Sequence, residues 1–367
     1  MMRPTWVTVD LEAVAYNVAA FRDLVAPAEV CAVVKADGYG HGALPVAQAA
    51  LGAGATWLAV ALVEEAAALR GDGLDVPILL LSEPRPDEMA EVAMLGGVRP
   101  TVYTEAGIGA FAAVAAPGAP VHLKVDTGMH RVGVRPAEAL TTARLVQDLG
   151  LGLEGVFTHC SVADVPNDPF TDRQVRRFDL ALDDLASAGI RPAIVHMANT
   201  AATVSRPDTR RDLVRVGIGV YGVEPSTEVR PHCAPLGLRQ AMAIRSQVTH
   251  LQTVDAGEGV GYGHQWVSGD ETRLATVPMG YADGLPRRWG LVGEALVGGH
   301  RRPLRGVVSM DALMVEVDDT VALGDEVILL GAQGDEMIGA AEVGEAIGLI
   351  PWEVLCSLSA RPPRRYL

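Results

Sequence analysis

The first 220 or so residues repeat one pattern. A short run of apolar residues is followed by an alanine-rich stretch whose apolar positions recur at helical spacing, with glycines near its end. The apolar runs are VCAVVK (30–35), WLAVA (57–61), PILLL (77–81), VRPTVY (98–103), VHLKVD (121–126), LEGVFTH (153–159), AIVHM (193–197) and LVRVGI (213–218). Eight strands that alternate with helices predict a (β/α)8 TIM barrel. An open doubly wound sheet is the rival, and the G-x-G-x-x-G turn that marks its dinucleotide-binding form is absent.

After about Glu224 the periodicity changes. RQAMAIRSQVTHLQTV, TRLATVPMG, EALVGG, RGVVSMDALMVEV and EVILLGA are separated by Gly, Asp and Pro turns and predict a second, mainly-β domain. The extended start, TWVTVD, is assigned to that domain as well. The expected division is therefore a barrel over 9–230 and a β domain over 231–367 that also takes in residues 1–8.

Composition narrows the function classes. At 367 residues the chain exceeds the usual size of a single core, which agrees with two domains. Its hydrophobic fraction of 49% is ample for such cores, yet no apolar run approaches the roughly 20 residues of a membrane helix. The four cysteines (Cys31, Cys160, Cys233 and Cys356) are scattered without a C-x-x-C pair, so free thiols in a reducing cytoplasm are expected, with no metal site. The N-terminus shows no secretory pattern. A formal net charge of −15 without any basic run speaks against nucleic acid and anionic membranes as partners.

In a barrel the chemistry gathers at the C-terminal ends of the strands. Those ends carry Lys35, Lys124 with Asp126, His159, then Met197 with Asn199 and Thr200, and Arg215. Lysine is rarely buried, and one flanked by valines loses hydration, which lowers its amine toward nucleophilic range. Such a lysine suits a Schiff base with a carbonyl, that of pyridoxal phosphate included. A lysine that merely snorkels out of a strand end is the plainer alternative, and the glycine-rich turn ADGYGHG after Lys35 sets this one apart.

VVKADGYGHG resembles the pyridoxal-phosphate attachment signature of alanine racemases, and the likeness spans the chain. HLKVDTGMHRVG (122–133), GVFTHCSVAD (155–164), HMANTAA (196–202), DLVRVGIGVYG (212–222), VGYGHQW (260–266), PMGYADG (278–284) and SMDALMV (309–315) match that family's blocks in order. The resemblance implies a fold-type III enzyme with pyridoxal 5′-phosphate as cofactor and L- or D-alanine as substrate. It also implies a homodimer with shared active sites, in the service of D-alanine supply for the cell wall.

The resemblance further implies residue roles. Lys35 binds the cofactor and acts as base on one face of the substrate, and Tyr262 is the base on the other, reaching the site from a second subunit. Inversion at a carbon needs a proton removed on one face and delivered on the opposite one. A phenol in that role needs cationic neighbours that favour its ionised form. Arg215 and His159 support that tyrosine, and Arg215 contacts the pyridine nitrogen, which a group without a proton-accepting atom leaves unprotonated. Tyr39, Thr200 and the backbone N–H groups of Gly217 and Ile218 hold the phosphate. Arg131, Met310 and Asp311 meet the substrate carboxylate, Lys124 occupies a position open to carbamylation, and Tyr281 and Asp164 line the entrance. Read on their own, Tyr262 is a turn aromatic, Arg215 is half of an interior salt bridge with Asp126, and Thr200 is a helix cap.

The chain departs from the family pattern in places. Trp352 stands where a phosphate-binding tyrosine is usual, and Val307, Ser309 and Ala312 replace an arginine, a cysteine and a glutamine near the entrance. A racemase for another small amino acid such as serine, or a non-catalytic pyridoxal-phosphate barrel, are the alternatives.

Overall fold

The computed structural model describes residues 3–367, so residues 1–2 of the N-terminal stretch assigned to the β domain lie outside the described residues. Strand β1 (Thr5–Val9) is followed by the barrel strands β2 (Glu29–Val33), β3 (Trp57–Val60), β4 (Ile78–Leu80), β5 (Val98–Arg99), β6 (Thr101–Val102), β7 (Pro120–Lys124), β8 (Gly152–Phe157), β9 (Ile194–His196) and β10 (Leu213–Val216). Their parallel order is β5-β4-β3-β2-β10-β9-β8-β7-β6. The two sheet ends, β5 and β6, are halves of one run, interrupted at Pro100, which has no N–H to give to a ladder. That shared run closes the sheet into the expected eight-strand barrel, and each predicted apolar run overlaps its strand, with β2, β7 and β8 starting one residue earlier than expected.

The two longest helices that cover the barrel have side-chain caps at their starts. Asp10 accepts from Ala13 N–H at 2.8 Å to begin the helix Leu11–Val25. Asp168 does the same for Phe170 N–H at 2.8 Å, with Pro169 as the first residue of the helix Pro169–Ser187.

The second domain is mainly β. Strand β11 (Met242–Gln247) alternates buried and half-buried positions and runs antiparallel to β1, and β1 pairs on its other side, in parallel, with Arg364–Tyr366. Both described ends of the chain thus meet in one sheet. The stretch RGVVSMDALMVEV, one of those from which the β domain was expected, is strand only in part. Only Leu313–Glu316 is extended there, because Gly306 turns at φ 73° and lies so close to Val260 that a Cβ would come 2.5 Å from its carbonyl oxygen. Two helices, Ala340–Ile347 and Pro351–Cys356, also occur in this domain; the first buries Ala340, Val343, Gly344 and Ile347 at helical spacing.

Each domain has its own core, and Trp352 packs against both. The segment that leaves the barrel is tightly placed. Gly222 has φ 73°, and a Cβ there would lie 1.7 Å from the carbonyl oxygen of Arg239. Gly222→Ala should therefore cost roughly 3 kcal/mol, at the high end for single substitutions. Thermal or denaturant unfolding measures it, and a loss below about 1 kcal/mol would refute the tight junction.

Candidate active site

Lys35 opens a turn rather than ending a strand. β2 stops at Val33, and Ala36, Asp37, Gly38, Tyr39 and Gly40 follow with φ of 52°, 52°, 59°, 52° and 79°. This is a turn of left-handed helix, in which each residue other than glycine costs about 1–2 kcal/mol. Ala36, Asp37 and Tyr39 together carry several kcal/mol of strain on that scale, so the surroundings must dictate the conformation. Glu65 accepts from Ala36 N–H at 2.6 Å and from Ala61 N–H at 2.8 Å. Asp37 accepts from Ala43 N–H at 2.9 Å, and Arg364 donates to the Gly40 carbonyl at 3.1 Å. His41 is fully buried, with Nδ1 3.0 Å from the carbonyl oxygens of both Gly38 and Tyr39. Burial pushes its imidazole down to about 4, so the neutral ring donates from Nδ1 and its role is to hold the turn.

The mouth above this turn is cationic. Burial lowers the Lys35 amine below its ordinary value and Arg131 adds to the effect, while Glu65 and Cys356 oppose it. Lys124, at the end of β7, is buried, with Nζ 5.2 Å from the centre of the Phe157 ring. Burial, then Arg215 and Arg131, push its amine down to about 7, with Asp126 opposing. Arg131 is exposed beside them and makes no ion pair among the described residues. Asp126 is occupied otherwise: its Oδ1 accepts from the N–H groups of Gly128, Met129 and His130 and shapes the loop that carries Arg131.

Arg215 is 3% exposed and the salt bridge with Asp126 does not form, because Asp126 caps that loop. Instead Nη2 donates to the carbonyls of Thr158 (2.7 Å) and Met197 (3.0 Å) and to His159 Nδ1 at 3.1 Å. Nη1 donates to His196 Nδ1 at 2.9 Å, and the guanidinium lies 5.1 Å from the centre of the Phe157 ring. Its Nε–H has no acceptor among the described residues. Burial lowers Arg215 to about 10, which leaves it a cation at neutral pH. His159 falls well below its ordinary value through burial and then through Arg215, so its ring is neutral.

Neutral donors gather on the side of the left-handed turn. Thr200 Oγ1 accepts from Gly217 N–H at 2.9 Å, and Asn199, not Thr200, caps the helix Thr200–Ser205. A Cβ on Gly217 would lie 2.7 Å from the Tyr39 hydroxyl oxygen, which places that hydroxyl against the Gly217–Ile218 backbone. Burial pushes the Tyr39 phenol up and keeps it a donor. The helix bearing Trp352 packs on this turn as well. Hydroxyls and backbone N–H groups without a neighbouring carboxylate suit a phosphate, and Arg131 suits a carboxylate.

The remaining candidates sit apart. Asp164 is exposed on the loop after β8, where its carbonyl accepts from Ser226 Oγ at 2.6 Å. Tyr262 is 69% exposed on a short turn between Gly259–Val260 and Trp266–Val267. Tyr281 and Met310 are also exposed, and Tyr281 N–H bonds the Ser309 carbonyl at 2.9 Å. Asp311 is neutralised by Arg361 at 2.7 Å. Val307 is buried, whereas Ser309 and Ala312 are half-buried in the same loop. Tyr262, Tyr281 and Met310 are thus exposed side chains of the β domain, without a hydrogen bond to the barrel-mouth residues of their own chain among the described residues.

Sequence reading overlooked Glu65, Phe157, His122 and His196. His122 lies two residues before Lys124 on β7 and so shares its inward face, a signal present in the HLK triplet. Glu65 had no signal, since its partner is 29 positions away.

Among the described residues no helix is long and apolar enough to cross a membrane. The alanine racemase N-terminal domain model matches residues 9–225 and the C-terminal domain model residues 241–366. An alanine racemase of Symbiobacterium thermophilum is 43% identical, with all of this chain and 97% of the relative covered. One from Nostoc is 39% identical over 98% and 95% of the two chains. Among solved structures, the Bacillus anthracis alanine racemase with bound L-Ala-P superposes with TM-score 0.92 at 37% identity, over 100% of this chain and 96% of that one. The Streptomyces coelicolor alanine racemase does so with TM-score 0.93 at 36% identity, over 99% and 98%. Barrel, β domain, lysine-bearing turn and these full-length likenesses agree: the chain belongs to the alanine racemase family.

Proposed function

We propose that this protein is a pyridoxal-phosphate-dependent racemase that interconverts L- and D-alanine, with Lys35 and the Tyr262 of a second copy as its two bases. The observation that carries the reading is the placement of Lys35. It stands between a cradle formed by the Tyr39 and Thr200 hydroxyls beside the Gly217–Ile218 backbone and the unpaired cation Arg131. The donor set fits the cofactor: the cradle takes its phosphate, with Ile218 N–H and Trp352 at its edge, and Arg215 Nε–H is free for the ring nitrogen. When bound, pyridoxal phosphate supplies a conjugated ring that withdraws electrons and makes the Cα–H of an attached amino acid acidic.

The chain's own residues do the rest. The lowered amine of Lys35 takes or returns a proton at Cα on one face. Tyr262 serves the other face from a second copy, and its exposure on the β domain supports a homodimer with shared sites. Arg215 keeps that side cationic, which favours an ionised phenol approaching it, and the neutral His159 is its hydrogen-bonded neighbour. Arg131 holds the substrate carboxylate, with Met310 and the paired Asp311 at the far rim and Tyr281 and Asp164 at the entrance. The β domain with its tyrosine supports catalysis over a carrier role.

Borohydride treatment of the holoenzyme should fix pyridoxal to Lys35, identified by peptide mass. Lys35→Ala should abolish racemisation measured by chiral chromatography, and label on another lysine would overturn the assignment.

Tyr262→Phe keeps the ring and removes only the ionisable oxygen, so racemisation should fall by about 10²–10⁴-fold with the cofactor still bound. Mixed with Lys35→Ala chains, it should regain activity, since each heterodimer holds one intact site. No recovery after confirmed subunit exchange would place Tyr262 outside a shared site.

We also propose that Lys124 carries a carbamate that orients Arg131. An amine at about 7 is largely neutral just above neutrality and attacks carbon dioxide, releasing a proton, whereas an amine at 10.5 stays protonated. A carbamate carbon signal from ¹³C-bicarbonate should therefore grow as pH rises through 7, fade below it, and vanish in Lys124→Ala. A signal that persists in that variant would refute the site.

A further inference from the structure

Behind Arg215 a file of buried side chains runs back through the barrel. Arg215 Nη1 lies 2.9 Å from His196 Nδ1, His196 Nε2 lies 2.9 Å from His122 Nδ1, and His122 Nε2 lies 3.1 Å from Glu154 Oε2. Arg99 closes the file with two bonds to the Glu154 carboxylate, at 3.0 and 3.2 Å. Both imidazoles have no exposed surface, and His196 stacks on Phe157 at 4.6 Å with the rings 10° apart. Glu154 lies toward the start of β8, so the file joins the lower half of the barrel to its mouth.

Only one arrangement of protons satisfies every link. A guanidinium has donors alone, so His196 Nδ1 must be bare. Burial and the adjoining Arg215 keep His196 neutral, which puts its single proton on Nε2. His122 Nδ1 must then accept, and its own proton sits on Nε2, aimed at Glu154. Burial raises the Glu154 carboxyl, but hydrogen bonds from His122 and Arg99 outweigh this and hold it at about 2, so it is an acceptor throughout the neutral range. If His122 took the other tautomer, its Nδ1–H would meet the Nε2–H of His196. Relief would come only by turning His196 over too, which sets an N–H against the guanidinium.

We propose that Glu154 is a positioning residue for Arg215: by fixing the tautomers of His122 and then His196, it keeps a bare nitrogen behind the guanidinium and so holds its Nε–H toward the mouth. The functional part rests on the reading that Arg215 meets the cofactor ring. The fixed tautomers stand without it.

The test is ¹⁵N NMR of histidine-labelled protein, with and without pyridoxal phosphate, together with kinetics. Wild type should show His122 and His196 both protonated at Nε2. Glu154→Leu removes the acceptor at the far end and leaves only the guanidinium to bias the rings, so both should show a mixture of Nε2–H and Nδ1–H forms in place of the single wild-type one, with kcat about 10- to 100-fold lower, the range for groups that orient a ligand-contacting side chain. Glu154→Gln, which keeps an oxygen for His122, should restore the tautomers and most of the rate. His122→Phe removes the link while keeping a ring, and combined with Glu154→Leu it should cost no more than either change alone. Unchanged tautomers in Glu154→Leu, or additive losses in the double variant, overturn the inference. Altered tautomers with a wild-type rate would instead overturn the assignment of Arg215 to the ring. Should Glu154→Leu fail to fold, Glu154→Gln and His122→Phe still decide the question through the His196 resonances.

Discussion

A guanidinium buried inside a strand barrel, with carbonyls and imidazoles where a carboxylate is usual, governs the site. Removing one partner from a buried ion pair is strongly destabilising because a bare charge remains. Here Arg215 is satisfied instead by two carbonyl oxygens and two ring nitrogens, which accept hydrogen bonds without cancelling the charge. The field therefore reaches outward. Burial first, and then Arg215, lower the proton affinity of Lys124, His159 and His196 alike, so the basic groups nearest it lose their protons before it does. A mouth of that kind draws anionic ligands and favours their ionised forms. A carboxylate beside Arg215 would have cancelled the effect.

Rigidity at the other side of the mouth comes from a different source. The strained turn after β2 persists because elements from both domains hold it: Glu65 from the barrel, and Arg364 from the C-terminal strand of the β domain. Gly40 fits only because it lacks a side chain, since a Cβ would lie 2.7 Å from the Leu355 carbonyl oxygen. The β domain thus acts on Lys35 through the backbone. Its sheet joins β1 to Arg364–Tyr366, and the same strand lets Arg364 bond the turn, so the second domain contributes directly to the placement of the lysine.

Much of this was legible in the chain. The eight apolar runs revealed the barrel because a parallel strand covered on both sides reads as a continuous apolar segment. Lys35 stood out because a lysine there broke such a run ahead of glycines. The left-handed path through Ala36, Asp37 and Tyr39 was not readable, since none of the three prefers positive φ and the contacts that impose it come from residues 65 and 364. The loop 306–312 misled for the converse reason: its valines have strand propensity, but Gly306 packs against Val260 and turns the backbone away. At Arg215 the charge was legible and its partners were not, because Asp126 was nearer in type but already committed to three backbone N–H groups.

The two halves of the proposed site also account for one another. The helix Pro351–Cys356 and Arg364 occupy the flank of the mouth beside the left-handed turn, so a chain's own β domain already touches its Lys35 from that direction. Tyr262, Tyr281 and Met310 belong to a different part of that domain, around the 306–310 loop, and are left exposed. Under the proposed mechanism a base approaches Cα from the side opposite Lys35, and a second copy of the chain would bring one without disturbing the first contact. In a two-fold pair each β domain would clamp its own lysine through the backbone and offer its tyrosine to the partner's site. Self-complementary exchange of this kind is what an isologous interface requires. On this reading the exposed phenol and the cationic mouth without an acidic partner are complementary surfaces.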